Sequence, residues 1–308
     1  METNIKRALV VSGGGSKGAW AGGLLQYLIE ERKYDWDMYF GTSTGALLIT
    51  LSALKEMSRL KEAYTNIDNN GIFSVNPLTK NGNINKLNAI WRIIRGKTSL
   101  GESGNLYKKI HEIFTEADYK KTISLNKLLH PCVVNYTRGY EEYACNTNTS
   151  YEQYVKYTLA STSVPIAMNL VDIDGDLFLD GGVLQHVPIQ KAIDNGADEI
   201  DVIVLRPERV KLSTWQADNI LDVLMRTIDI METKISDYNV LTSDLIAKEK
   251  DVKIRIRYTP YNLTDSSKDS LIFDKAKMLK WWYDGYDFGK IENQSKKILL
   301  TQDGCKLI

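Results

Sequence analysis

The chain has 308 residues, of which 43% are hydrophobic and 25% charged, enough apolar content for a sizeable buried core and without the bias of a disordered protein. Its 39 Lys and Arg balance 39 Asp and Glu, so no net positive charge favours nucleic acid as a partner. Three histidines and three unpaired-looking cysteines (Cys132, Cys145, Cys305) lack the spacing of a zinc site or a disulfide framework, so no metal or cofactor is expected.

The length is close to the upper limit of about 250–300 residues for one core, so a single domain over 1–308 is expected. No apolar run approaches the ~18–20 residues of a spanning helix, and "METNIKRALVV" is too short for a leader, so a cytoplasmic protein, at most peripheral at membranes, is expected. The terminal "CKLI" has a cysteine in the prenylation position, but Lys306 is a poor second residue and no lipidation is expected.

In chain order, Ala8–Ser12 reads as a buried strand that stops at three glycines, and "SKGAWAGGLLQYLIEERK" follows as a helix with Trp20, Leu24 and Leu28 at helical spacing. The plan repeats at once: an aromatic strand to Phe40, a tight turn through Gly41 and Gly45, and a helix from about Ala46. Two strand–turn–helix units in succession predict an α/β fold of three layers, a largely parallel sheet flanked by helices. Residues 65–105 turn to Asn, Gly, Lys and Ser around one short amphipathic stretch, a cap-like excursion from the sheet. Next come a helix at "LYKKIHEIF", a strand at "HPCVVNYT", a helix at "SYEQYVKYTLAST" that ends before Pro165, and a strand and turn at "LFLDGGVLQHVP". A short helix over about 189–195 leads to the strand "DEIDVIVLRP". The segment 207–308 holds a long polar helix over about 217–248, the strand "DVKIRIRY" and a closing helix, "FDKAKMLKWWYDGYDFGK".

The first glycine loop admits two readings. Gly13, Gly15 and Gly18 spell G-x-G-x-x-G, in which backbone N–H groups hold a pyrophosphate, with Asp35 or Asp37 placed to meet a ribose in a dinucleotide-binding oxidoreductase. The same N–H groups could instead stabilise the oxyanion of an acyl transfer. "GTSTG" at 41–45 is G-x-S-x-G between a predicted strand and a predicted helix, the setting of a nucleophile elbow, and the dinucleotide reading leaves it unexplained. Ser43 then needs a base. His111 and His130 read as surface or boundary residues; His186 would complete the order Ser43, Asp180, His186 of a triad, or Asp180 in its "DGG" turn could act on Ser43 directly.

"GGGSKG", "GTSTG", "DGG" at 180–182 and "ASTSVPIAM" at 160–168, read together over about 5–206, resemble the patatin-like phospholipase family. That resemblance implies a lipid acyl hydrolase acting on phospholipid or lysophospholipid esters through a dyad, with Ser43 as nucleophile and Asp180 as base, and no catalytic histidine. It also implies an oxyanion loop of Gly13, Gly14, Gly15, Ser16, Lys17 and Gly18, with Gly41, Gly45, Gly181 and Gly182 supporting the motifs. The chain departs from the family pattern at Met168, where an aromatic is common, and at Leu184, Gln185 and His186, where an Asn pair often follows "DGGV".

Within the excursion, "KLNAIWRIIRGK" sets Leu87, Ile90, Trp91 and Ile94 on one helical face beside Lys86, Arg92, Arg95 and Lys97. The common fate of such a face is burial in its own protein, here as a cap over the active site; the other is contact of 86–97 with an anionic membrane. Near the C-terminus, Met278, Trp282 and Tyr286 share one face and are expected to pack the closing helix against the sheet.

Overall fold

The apolar run at Ala8–Val11 is buried on both faces, which explains why it reads as a continuous stripe and not as an alternation. The computed structural model describes residues 5–79, 83–209, 220–264 and 269–302, with backbone alone at 221, 222, 225 and 293–302. The run forms β1 (Arg7–Val11), flanked by β2 (Met38–Thr42) on one side and β7 (Glu199–Val204) on the other. Beyond β2 lie β3 (Leu128–Asn135), β6 (Asp176–Asp180) and β5 (Val171–Ile173); beyond β7 lies β8 (Lys253–Tyr258). The block β3-β2-β1-β7-β8 is parallel, while β6 and β4 (Tyr140–Tyr143) each pair antiparallel with β3, and β5 pairs antiparallel with β6.

Alternate residues of β1 feed two cores. Leu9 and Val11 join Trp20, Leu24, Leu48 and Trp282 under α1 (Gly18–Gln26), α2 (Thr44–Ala53) and α3 (Met57–Thr65). Ala8 and Val10 join Phe40, Val187, Ile189 and Ala247 on the opposite side. Helices therefore cover both faces of the sheet, giving the expected three layers, and each fully buried aliphatic side chain contributes about 1.5–3 kcal/mol.

The excursion contains α4 (Asn69–Ile72), N-capped by Asp68, and α5 (Lys86–Ile94). It returns through α6 (Gly104–Ile113) and α7 (Glu116–Ser124) to β3, and α8 (Tyr151–Ser161) ends short of Pro165 as expected. The expectation that the α5 face is buried as a cap is corrected by the structure: Leu87, Ile90, Trp91, Ile93 and Ile94 are exposed, and only Ala89 of this helix is buried. Helix α9 (Ile189–Asp194) and helix α10 (Ile220–Glu249) complete the second helical layer, and α11 (Lys275–Gln302) closes the first.

Trp282 is fully buried as expected, but α11 packs chiefly on α1 and not on the sheet. Glycines allow the close approach: a Cβ at Gly23 would strike the Trp282 carbonyl, and one at Gly285 the Trp20 carbonyl. His130 is corrected from a boundary residue to a buried one, stacked 4.6 Å from Phe40 within the sheet. Cys305 and "CKLI" lie outside the described residues. No described helix is long and apolar enough to cross a membrane.

Candidate active site

In an open parallel sheet, crevices form at the carboxyl ends of strands where the order reverses. Here that point is β1, from which the chain goes first to β2 and β3 and later, on the other side, to β7 and β8. The glycine loop and Gly41–Gly45 both sit at this end.

β2 passes into α2 through one residue, Ser43, whose φ of 55° and ψ of −124° lie outside the regions ordinary side chains prefer. Such backbone strain costs on the order of 1–3 kcal/mol and persists only where surrounding bonds hold it. The Ser43 N–H donates to the Ser161 hydroxyl at 3.0 Å, and that hydroxyl donates to the Cys132 carbonyl at 2.6 Å. The flanking glycines interlock: a Cβ at Gly41 would collide with the Gly45 carbonyl, and one at Gly45 with the Val11 carbonyl. Helix α2 starts directly at Thr44, two residues before the expected Ala46, so the positive end of its dipole follows Ser43 at once, with the Ala46 N–H closing back on the Ser43 carbonyl at 2.9 Å.

Asp180 ends β6 opposite Val133, and its N–H donates to the Ser163 carbonyl at 3.1 Å. Its carboxylate accepts the Gly182 N–H at 2.8 Å and lines the same cleft as Ser43, whose hydroxyl favours the charged carboxylate. Burial pushes the Asp180 carboxyl up to about 7; the Gly182 N–H and the Ser43 hydroxyl oppose that rise, and the charge of Glu232 adds to it. Gly181 is required because a Cβ there would strike the Cys132 carbonyl. Ser161 and Ser163 thus tie both functional turns to one segment, a role that reading "ASTSVP" as a pattern did not assign.

The amides of the glycine loop divide into two groups. Gly13 N–H donates to the His186 carbonyl at 3.1 Å, Lys17 N–H to the Gly14 carbonyl at 3.2 Å, and Gly18 N–H back to Gly15 and Ser16. Those of Gly14, Gly15 and Ser16 have no intramolecular acceptor among the described residues. Gly15 has φ +56° and abuts the Ser270 carbonyl, so this turn requires glycine. Lys17 is half-buried; burial draws its ammonium below the ordinary value, against the charges of Glu232 and Asp229.

A Cβ at Gly13 would sit 2.9 Å from the Cε1 of His186 and 3.4 Å from the Cβ of Ser43, so the imidazole packs beside the elbow. Burial, helped by the charges of Lys17 and Arg206, pulls its pKa down to about 3 and keeps it neutral. Its Nδ1 has no hydrogen-bond partner among the described residues. His111, bonded to Tyr151 at 3.0 Å, and His130 do not line the cleft.

Two cavities meet at Ser43. A polar cleft is lined by Gly14, Lys17, Asp180, His186 and Glu232, and an apolar cavity by Leu47, Ile110, Phe114, Met168 and Phe273. Gly15, Ser43, Val164 and Leu271 line both. The ribose carboxylate of the dinucleotide reading is missing from this end of the sheet. Asp35 pairs with Lys55 and Lys127, and Asp37 accepts the Arg7 N–H at 2.9 Å, at the amino ends of β1 and β2.

A family model, Patatin-like phospholipase, matches residues 9–193. The chain belongs to the patatin-like phospholipase family. At the level of curated proteins it is 22% identical over 240 residues to an uncharacterised protein, YjjU, of Escherichia coli (strain K12), covering 75% of this chain and 62% of that protein. The chain thus spans about three fifths of the length of that relative. Among solved structures it is similar to VipD from Legionella pneumophila, at 14% identity and a TM-score of 0.41, covering 93% of this chain and 67% of the other. The patatin-like range opens in β1 and closes in α9, so it holds the glycine loop, Ser43, the 160–168 block and Asp180. Glu232 on α10 and Leu271, which line the polar cleft, lie beyond it.

Proposed function

We propose that this patatin-like protein is a serine acyl hydrolase that cleaves phospholipid or lysophospholipid esters through a Ser43–Asp180 dyad and an acyl-enzyme. The observation that carries the reading is a buried carboxylate, Asp180, sharing a polar cleft with Ser43 where that cleft meets an apolar cavity. A carboxyl raised to about 7 suits proton transfer near neutral pH, since a base is most effective close to the working pH.

In this mechanism the Ser43 Oγ attacks the ester carbonyl carbon as Asp180 accepts its proton. Negative charge on the carbonyl oxygen meets the unpaired amides of Gly14, Gly15 and Ser16, with the α2 dipole behind Ser43. Collapse breaks the ester bond, and the leaving alcohol takes the proton from Asp180. Water then gives a proton to Asp180 and attacks the acyl-Ser43 carbonyl; release of the fatty acid returns the proton to Ser43. The apolar cavity takes the acyl chain, and the polar cleft the glycerol and head group. Lys17 fixes the loop and faces the head group from the cleft wall. We read the chain as one catalytic unit, with 207–308 completing the cleft through Glu232 and Leu271.

Labelling with a fluorophosphonate, followed by mapping of the modified peptide, tests the proposal. Modification of Ser43 together with release of fatty acid from phospholipid is the expected result; an unlabelled Ser43 in folded protein overturns it.

A further inference from the structure

Helix α5 displays an apolar face that nothing among the described residues covers. Leu87 is 77% exposed, Ile90 55%, Trp91 59%, Ile93 63% and Ile94 73%. An amphipathic helix normally turns such a face inward, and a contiguous exposed patch of this kind marks a contact surface.

The polar edge of α5 explains the orientation. Asn88 donates to the Leu100 carbonyl at 3.0 Å, and Arg92 donates to the Ser99 carbonyl at 2.6 Å and pairs with Glu102 at 3.1 Å. Loop 99–102 is held in turn by Leu100 N–H on the Ile166 carbonyl at 2.7 Å and by Glu102 N–H on the Val75 carbonyl at 2.9 Å. Ile166 lies between Val164 and Met168, both in the wall of the apolar cavity. The helix is therefore bolted, apolar face outward, to the loop that borders the proposed acyl-chain site.

Charge selects the occupant. Lys86, Arg95 and Lys97 are exposed and have no acidic partner among the described residues, and the Arg95 guanidinium lies over the Trp91 ring at 4.9 Å. Basic side chains bordering Trp, Ile and Leu match an anionic lipid surface, where aromatic and aliphatic groups enter the interface and cations meet the head groups.

We propose that α5 is an interfacial anchor that inserts Leu87, Ile90, Trp91 and Ile94 into the surface of an anionic bilayer and brings the apolar cavity beside its lipid substrate. This rests on the lipid-ester reading above and deepens it.

The test is flotation of the full chain with phosphatidylcholine vesicles, with and without phosphatidylglycerol, beside two surface variants, Trp91→Asp/Ile94→Asp and Lys86→Glu/Arg95→Glu/Lys97→Glu. Wild type should float with the anionic vesicles. The apolar variant should bind at least about tenfold more weakly, and the charge variant about 100-fold more weakly, losing most of its salt dependence. Both variants should hydrolyse a short soluble p-nitrophenyl ester at the wild-type rate while losing hydrolysis of vesicle lipid. Unchanged flotation of either folded variant, or equal binding to neutral vesicles, overturns the anchor. So does sedimentation showing an α5-dependent dimer, which would give the face to a second copy. Failure of wild type on the soluble ester with the flotation pattern intact removes the hydrolase reading and leaves the anchor standing.

Discussion

The Ser161 hydroxyl accepts a hydrogen bond from the Ser43 N–H at 3.0 Å, from a position on the last turn of α8. The same hydroxyl donates to the Cys132 carbonyl on β3, so one oxygen holds the strained elbow to the sheet. Ser161→Ala would leave a buried donor and a buried acceptor unpaired, at a cost of about 1–3 kcal/mol. The expected result is a lower urea midpoint and a fall in kcat of about tenfold or more with KM little changed. Rescue of both by Ser161→Thr would tie the effect to the hydroxyl.

Because Ser43 and Asp180 share one cleft and the proposed dyad routes the proton between them, the mutational pattern is sharp. Ser43→Ala and Asp180→Asn should each reduce ester hydrolysis to background. His186→Ala should keep most of the activity, because the imidazole is held neutral by burial and its Nδ1 has no partner among the described residues. Loss of turnover in a folded His186 variant, as judged by circular dichroism, would restore the Ser43, Asp180, His186 triad.

Activity should depend on pH through the base. In the proposed mechanism Asp180 must be ionised to take the Ser43 proton, so kcat/KM should rise with pH through about 7 and level off above it. A profile that is flat across that range would sink the assignment of Asp180 as base.

The same groups set opposed slopes in stability. Asp180 goes from an ordinary 3.8 to about 7 on folding, so the folded state holds a proton the unfolded chain has lost, and stability falls as pH rises from about 4 to about 7. His186 goes from an ordinary 6.5 to about 3, so its contribution falls as pH drops from about 6.5 toward 3. Asp180→Asn removes the first slope and leaves the second. Above pH about 7 that variant should be more stable than wild type, on the order of 4 kcal/mol, by denaturant titration.

Chain-length preference should follow the apolar cavity, which Met168 helps to line. Met168→Phe places a larger, stiffer side chain there and should move the optimum of a p-nitrophenyl ester series toward shorter acyl chains. Each methylene that no longer fits costs about 0.8 kcal/mol, roughly a fourfold loss in kcat/KM. An unchanged profile would show that the chain lies elsewhere.

Much of the fold was legible because its signals are local. The run Ala8–Val11 before three glycines, the elbow around Ser43 and the stop at Pro165 each depend on neighbouring residues, and the elements they predict are present. Helix α7 was not foreseen, although the Thr115–Asp118 capping box is visible in the sequence, because its polar composition carries no strong apolar period. The sequence predicts packing of α11 on the sheet, whereas it packs on α1, since periodicity marks a buried face but not the surface that buries it.

By itself the sequence determined the family motifs and the identities of Ser43, Asp180 and the glycines, because tight turns and close backbone approaches admit few residue types. Only the tertiary structure decided what these residues do to one another. It brought Asp180 to Ser43, dried its surroundings enough to raise its carboxyl to about 7, and sorted the loop amides into paired and unpaired. It also turned the α5 face outward. Burial and long-range contact are properties of the assembled layers: a local pattern marks the apolar face of a helix, but not what covers it or whether anything does.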